Sequence, residues 1–289
     1  MHPFAYERPA TVAEAVALLA AHGPDARILA GGTDLVIGLR DESIRPAVVI
    51  DLKRIAELRP RIRDGGDRLT ISATAVMSDL TEDERVGRHF PALAEAAHAV
   101  GSVQIRNRAT VIGNICNASP AADTAPPLLV YRAEVVAVGP GGTRRIPIDE
   151  FFVRSGQTAL ERGELAVALE LPVPDGPLGA AYTRLTRRRG TDLASITLCA
   201  SVDPAGVTRL AYGSVGPRPV LAVDESGVLA DPDATDEQRA PILERMFADA
   251  RPSARSMRAG PEYRLAMLRI LGARAIRTAI GRLAGGAAR

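Results

Sequence analysis

Apolar residues recur at helical spacing early in the chain, where Val12, Val16, Leu19 and Ala20 share one face of VAEAVALLAAHG. Thr11 and Glu14 stand at capping-box spacing ahead of this stretch and Gly23 closes it, so a helix is predicted between them. The pattern then changes. ARILAGG is a short apolar run that empties into two glycines, DLVIGLR starts a second, short helix, and AVVIDL and RLTISA (residues 68–73) are apolar runs of strand length. Residues 90–101, FPALAEAAHAVG, return to helical period and end on glycine.

Further along, AEVVAVGPGGTRRIPI sets two apolar runs about a Pro-Gly-Gly turn, which predicts a hairpin. ELAVALELPVP is a strand ending in prolines, and VPDGPLGA is the linker candidate, with two Pro and two Gly directly after that strand end. Beyond it, AAYTRLTRR, SITLCASVD and VTRLAYGSV predict three strands of a small antiparallel sheet. From about Asp236 the chain reads as mostly helical, finishing in PEYRLAMLRILGARAIRTAIGRL with an arginine face. There is no internal repeat. The fold class is α+β, with a larger part to about residue 176 and a smaller sheet-plus-helices part after it.

Composition narrows the function classes. At 289 residues the chain is long enough for two or three subdomains sharing a site, and 46% hydrophobic with 24% charged residues is ordinary for a globular protein. Its 36 basic residues include a single lysine, Lys53, and the arginines are spread from end to end; the preference for Arg is read as genome composition. With a net charge of +2, 3% aromatics and no Trp, no nucleic-acid partner is expected. Two cysteines, Cys116 and Cys199, without C-x-x-C spacing exclude a disulfide framework and any all-cysteine iron–sulfur or zinc site. The four histidines are too scattered to suggest a metal site, and Cys116 reads as a small buried residue. The start, MHPFAYERPA, lacks a signal-peptide pattern and no run approaches the ~18 apolar residues of a membrane span, so a cytoplasmic protein without such a span is expected.

Candidate chemistry lies in two loops. In LAGGTDL, residues 29–35, a strand empties into Gly31 and Gly32, whose bare backbone N–H groups suit an anion, with Thr33 as a hydroxyl donor. The plainer alternative is a tight turn with Thr33 or Asp34 capping the next helix. A P-loop is excluded because Lys53 is the only lysine, and no G-x-G-x-x-G follows a strand. The second loop, TVIGN at residues 110–114, offers a hydroxyl, a glycine and an amide; Asp123 follows, where it could also serve as N-cap with Pro126 in the first turn. Arg187, Arg188 and Arg189 read as a solvated face, with partner docking as the alternative.

LAGGTDL followed by VQIRNRATVIGNICNASPAAD resembles the FAD-binding, or medium, subunit of the molybdenum hydroxylases, the family of carbon monoxide dehydrogenase and xanthine dehydrogenase. The resemblance extends over nearly the whole chain: Phe4, Tyr6 and Pro9 at the start, GEL at 163–165, YTRLTRR from Tyr182 with Asp192 and Ala194 after it, and Tyr263–Arg264. It implies a flavoprotein fold of the vanillyl-alcohol-oxidase (PCMH) type. Residues 1–176 would form the FAD-binding domain, in subdomains of about 1–58 and 59–176, and residues 177–289 a C-terminal domain covering one side. By position, Ala30, Gly31, Gly32, Thr33 and Asp34 would contact the FAD pyrophosphate, and Thr110, Val111, Ile112, Gly113 and Asn114 would line the cofactor from the second subdomain. Asp123 would lie near the ribose or ribityl hydroxyls, and Tyr182 near the isoalloxazine. A carboxylate at Asp34 repels phosphate, so it serves through its backbone N–H or as a cap.

One residue departs from the family pattern T-x-G-G-N: Ile112 replaces its first glycine. If that position needs φ > 0, the cost is about 1–2 kcal/mol; if not, the substitution costs little. FAD is expected to bind in either case. The resemblance further implies an electron-transfer subunit with no catalytic acid–base residue and no metal of its own. It would pass electrons from [2Fe-2S] clusters in a small partner to FAD and on to an external acceptor, with molybdopterin in a large partner and a dimer of heterotrimers as the assembly. The alternatives are a self-sufficient flavin-dependent oxidoreductase and a non-redox assembly subunit that has lost FAD.

Overall fold

The computed structural model describes residues 1–286. Its first sheet is small and parallel: Ala5–Glu7, Val48–Asp51 and Ala26–Leu29 lie side by side in that order. Val48, Val49 and Ile50 are a continuous buried apolar run, as in strands covered on both faces, and Asp51, which ends the strand, is buried as well. Helix Val12–His22 connects the two edge strands, Ala5–Glu7 and Ala26–Leu29; Thr11 Oγ1 accepts from Glu14 N–H at 3.1 Å, and Gly23 ends the helix at φ +50°. The buried face is turned slightly from the predicted one, with Ala15 and Val16 inside and Ala20 exposed.

A second sheet of five antiparallel strands follows, in the order Ile62–Asp64, Arg68–Ser72, Leu165–Pro172, Glu134–Gly139, Gly142–Pro147. Helices Met77–Glu82, Glu84–His89 and Pro91–Ala99 precede the segment that carries the second loop. The third sheet is a meander of Gly179–Leu185, Ile196–Val202, Thr208–Gly213 and Val220–Asp224, one strand more than the sequence pattern predicts. Residues 173–178, inside the linker candidate, carry no helix or strand.

Strand alternation places this third sheet between two cores. Ile196, Leu198, Ala200 and Val202 pack into a cluster with helices Asp236–Met246 and Pro261–Gly286. Cys199 and Ala211 face the other way, as do Ala180 and Tyr182, and join the core of the first two sheets. Tyr182 is thereby aimed back at the turn that holds Asp123, just ahead of helix Ala125–Val130. None of the described helices is long and apolar enough to cross a membrane.

Candidate cofactor site

The first loop leaves from the C-terminal edge of the parallel sheet, where Leu29 and Asp51 are register partners. Ligands of open α/β sheets sit at such edges. Gly32 has φ +82°, a conformation that favours glycine. Gly31 is needed for a different reason: a Cβ there would sit 2.1 Å from Arg108 O and 3.0 Å from Ala109 Cα. The bare backbone of the first loop is therefore the surface on which the second one rests. Within the loop, Gly32 O accepts from Val36 N–H at 2.9 Å and Asp34 O from Gly38 N–H at 3.1 Å. Among the described residues, no acceptor meets the N–H groups of Gly31, Gly32, Thr33 or Asp34. Asp34 is exposed and makes no side-chain cap to helix Leu35–Arg40, so the capping role read from sequence fails and its backbone N–H remains.

The second loop is not a loop. Thr110 is the N-cap of a short helix, Val111–Cys116, its Oγ1 accepting from Gly113 N–H at 3.0 Å and its carbonyl from Asn114 N–H at 3.0 Å. A Cβ on Gly113 would lie 2.8 Å from Thr110 Oγ1, so this glycine makes room for the cap. Met77 N–H to Ala109 O at 2.9 Å and Val111 N–H to Ala75 O at 3.3 Å pin the segment to its neighbour. Val111 is thus committed at both side chain and N–H, and contributes only shape. Ile112 is 4% exposed, lies inside the N-terminal core cluster and is absent from the residues with positive φ. The departure from the family pattern costs nothing in backbone strain. Its side chain points into the core, and its N–H has no partner among the described residues.

Asn114 Oδ1 accepts from Thr124 Oγ1 at 2.7 Å, which ties this helix to the residue after Asp123. Asp123 does not cap helix Ala125–Val130; Thr124 holds the N-cap position without a side-chain bond. The Asp123 carboxylate is spent instead on the third sheet, with Tyr182 Oη donating at 2.5 Å to Oδ1 and Arg184 Nη1 at 3.0 Å to Oδ2. Burial raises the Asp123 carboxyl above its ordinary value, against the pull of Tyr182 and Arg184. Burial, then the Asp123 charge, pushes the Tyr182 phenol well up, so it is a neutral donor at physiological pH. Each carboxylate oxygen retains a lone pair for a further donor, such as a sugar hydroxyl. Burial also pushes the Cys116 thiol up to about 12, which makes it a packing residue rather than a redox group. No three His, Cys, Asp or Glu among the described residues converge as metal ligands.

A run of unspent N–H groups beside a Cβ-free joint suits a pyrophosphate. Residues 2–174 match the model described as FAD binding domain in molybdopterin dehydrogenase, and residues 180–279 the CO dehydrogenase flavoprotein C-terminal domain. The chain belongs to the molybdopterin-dehydrogenase FAD-binding family. Among this family's members it is 34% identical over 285 residues, 97% of each chain, to the xanthine dehydrogenase FAD-binding subunit of Escherichia coli O157:H7. It is 33% identical to the carbon monoxide dehydrogenase medium chain of Hydrogenophaga pseudoflava, covering 97% of this chain and 98% of that one. A solved carbon monoxide dehydrogenase structure from that organism superposes with a TM-score of 0.89 at 33% identity, over 98% of this chain and 99% of the other. Quinoline 2-oxidoreductase from Pseudomonas putida 86 gives 0.85 at 26% identity, over 98% and 99%.

Further residues join the Asp123–Tyr182 cluster that their spacing in the sequence does not single out. Arg184 bridges Asp123 and the carbonyls of Ala99 (2.7 Å) and Asp192 (3.1 Å). Its signal was its place two residues from Tyr182, on the same strand face. Glu95 Oε2 accepts from Tyr182 N–H at 3.1 Å, and its Oε1 pairs with Arg282 at 2.5 Å, fastening the third sheet and last helix to helix Pro91–Ala99. Nothing in sequence spacing links Glu95 to Arg282.

Proposed function

We propose that this chain is the FAD-carrying electron-transfer subunit of a molybdenum hydroxylase. The observation that supports it is the pair of backbone walls at Gly31–Asp34 and Thr110–Asn114, in contact through Gly31 and Arg108 and lined by unspent N–H groups. Those of Gly31, Gly32, Thr33, Asp34 and Ile112 would hold the pyrophosphate, supplying donors without bringing a carboxylate near it. Asp123 would take sugar or ribityl hydroxyls through its remaining lone pairs, and Tyr182, fixed by its bond to Asp123, would cover the ring system.

When bound, FAD supplies an isoalloxazine that accepts electrons and passes them on. The chain's part would be to hold and orient that ring, with Tyr182 beside it. Tyr182 and Asp123 are bonded to each other and the half-buried Cys116 thiol is held protonated, so none of these three stands ready as a free acid, base or nucleophile. Substrate oxidation belongs to a large molybdopterin partner, and electrons arrive through [2Fe-2S] clusters of a small partner. A cytoplasmic complex, built as a dimer of heterotrimers, suits two free cysteines. Residues 1–176 would hold the cofactor and 177–289 cover it, with the Asp123–Tyr182–Arg184 cluster as the clasp between them. Purified chain is expected to take up one FAD and to leave organic substrates unoxidised on its own. Substrate turnover by the isolated chain would overturn the assignment.

A further inference from the structure

Lys53 is the single lysine among 36 basic residues. Apart from the N-terminus and His2 at Glu42, arginine serves as the cation in the other pairs among the described residues, including those with Asp79, Asp83, Glu164 and Glu170. A lone lysine in an arginine chain therefore needs a local reason. It stands just past the central strand of the parallel sheet, in the turn Leu52–Arg54. Its Nζ is 2.6 Å from Asp51 Oδ1 and 3.5 Å from Ala30 O, the carbonyl that begins the cofactor loop.

The surroundings fix that ammonium. Asp51 is 1% exposed, and its other oxygen accepts from the Tyr6 hydroxyl. Burial works to raise the Asp51 carboxyl, but the bonds from Lys53 and Tyr6 outweigh it and leave it below its ordinary value, hence ionised at neutral pH. Asp51 also accepts from Lys53 N–H at 3.0 Å, so the turn closes on itself. One compact ammonium, with three donors on a single atom, meets both the carboxylate and the Ala30 carbonyl. A guanidinium can also bridge a carboxylate and a carbonyl, as Arg184 does, but its donors are spread over a longer, planar fork. Here both acceptors converge on one nitrogen, a seat that a three-donor ammonium fills and the fork does not fill in the same place.

The Ala30 carbonyl shares a planar trans peptide with the Gly31 N–H, and the two point in opposite directions. Holding the first therefore aims the second. The Gly31 N–H is one of the groups left without a partner, and Gly31 is wedged against Arg108. We propose that Lys53 is a positioning residue of the cofactor site: with Asp51 as its anchor, it orients the Ala30–Gly31 peptide so that the Gly31 N–H faces the FAD pyrophosphate. This rests on the FAD reading above and adds a residue to it. It also gives a reason for lysine where arginine would keep the charge.

The test is Lys53→Arg in the full chain, with affinity for FAD read by flavin-fluorescence titration and the melting temperature of the apo-protein read separately. Arginine keeps the pair with Asp51, so the apo-protein should melt as wild type does, while FAD binds roughly three- to tenfold more weakly, the scale of one ordinary net hydrogen bond, here a long one at 3.5 Å. Riboflavin, which has no pyrophosphate, should bind both proteins alike. A double variant, Asp51→Asn with Lys53→Met, removes the buried charge and the ammonium together and should show the same selective loss of FAD. Equal FAD affinity in wild type and Lys53→Arg would overturn the role of Lys53 alone. So would a loss that extends to riboflavin or tracks a lower apo-protein melting temperature, because that is general damage. Wild-type chain that takes up no FAD would overturn the cofactor reading itself, and the role of Lys53 with it.

Discussion

Gly31→Ala is the smallest change that separates the two walls of the cofactor site. The new methyl would lie 2.1 Å from Arg108 O, 2.9 Å from Arg108 C and 3.0 Å from Ala109 Cα. All three are main-chain atoms of a segment pinned by Met77 N–H to Ala109 O, so no flexible side-chain end can yield. Ordinary contact begins at 3.4 Å, and the two backbones must therefore part by roughly 1.3 Å, an overpacking whose cost is typically about 1–3 kcal/mol. Gly31 has no positive φ, so dihedral strain adds nothing. If the closed, FAD-bound arrangement bears that cost, the dissociation constant rises by roughly 5- to 150-fold. Flavin-fluorescence titration of the apo-protein measures it, with Gly87→Ala as control. Gly87 lies in helix Glu84–His89 with open space at its Cβ, so alanine there should leave FAD affinity unchanged. A Gly31→Ala protein that binds FAD within twofold of wild type would refute the idea that this contact builds the site.

Ile112→Gly, which restores the family's glycine, should destabilise the apo-protein by about 3–5 kcal/mol, from a lost buried side chain and a glycine within a helix, without tightening FAD. Chemical denaturation gives the stability, and tighter FAD binding at unchanged stability would contradict the placement of Ile112 in the core. Asp192 is held down to about 2 by its bond to Arg187, against burial. A depressed carboxylate contributes stability above its unfolded value near 3.9 and loses it as pH falls through about 2. Carboxyl NMR titration should therefore give a midpoint of about 2 in wild type and move it up toward the ordinary value in Arg187→Gln. Burial raises both the Cys116 and Cys199 thiols, so iodoacetamide at pH 8 should leave the native chain unlabelled and modify both residues after unfolding, as read by mass spectrometry. Labelling of native Cys116, which is half-buried, would contradict the upward shift of its thiol.

Much of the frame is legible in the sequence because single patterns determine it. AVVIDL reads as a buried strand since both its faces are covered, and LAGGTDL reads as bare backbone open to an anion, though the contact of Gly31 with Arg108 that makes it a joint is not visible in it. The strand Ala5–Glu7 is not legible: its three residues are exposed, and only pairing with Val48–Ile50 makes them a strand. Helix Val111–Cys116 is hidden for a related reason. Six residues with a glycine at the third position and three β-branched residues carry poor helix propensity, and what holds them is the Thr110 cap and burial of Val111, Ile112 and Ile115. Asp123 shows the limit for side chains. Local spacing offers it a cap, but Tyr182 and Arg184, about sixty positions on, offer two charge-assisted bonds in a buried setting, and those win. Lys53 was visible as a count, yet its meaning needed the distance to Ala30 O.

A crystal structure of the FAD-loaded chain tests the central claim most directly. The pyrophosphate oxygens are expected within hydrogen-bond distance of the N–H groups of Gly31, Gly32, Thr33 and Asp34, with the side chain of Ile112 still in the core and the bond between Asp123 and Tyr182 intact. FAD seated elsewhere on the chain, or a pyrophosphate held by side chains while those four N–H groups face solvent, would contradict it.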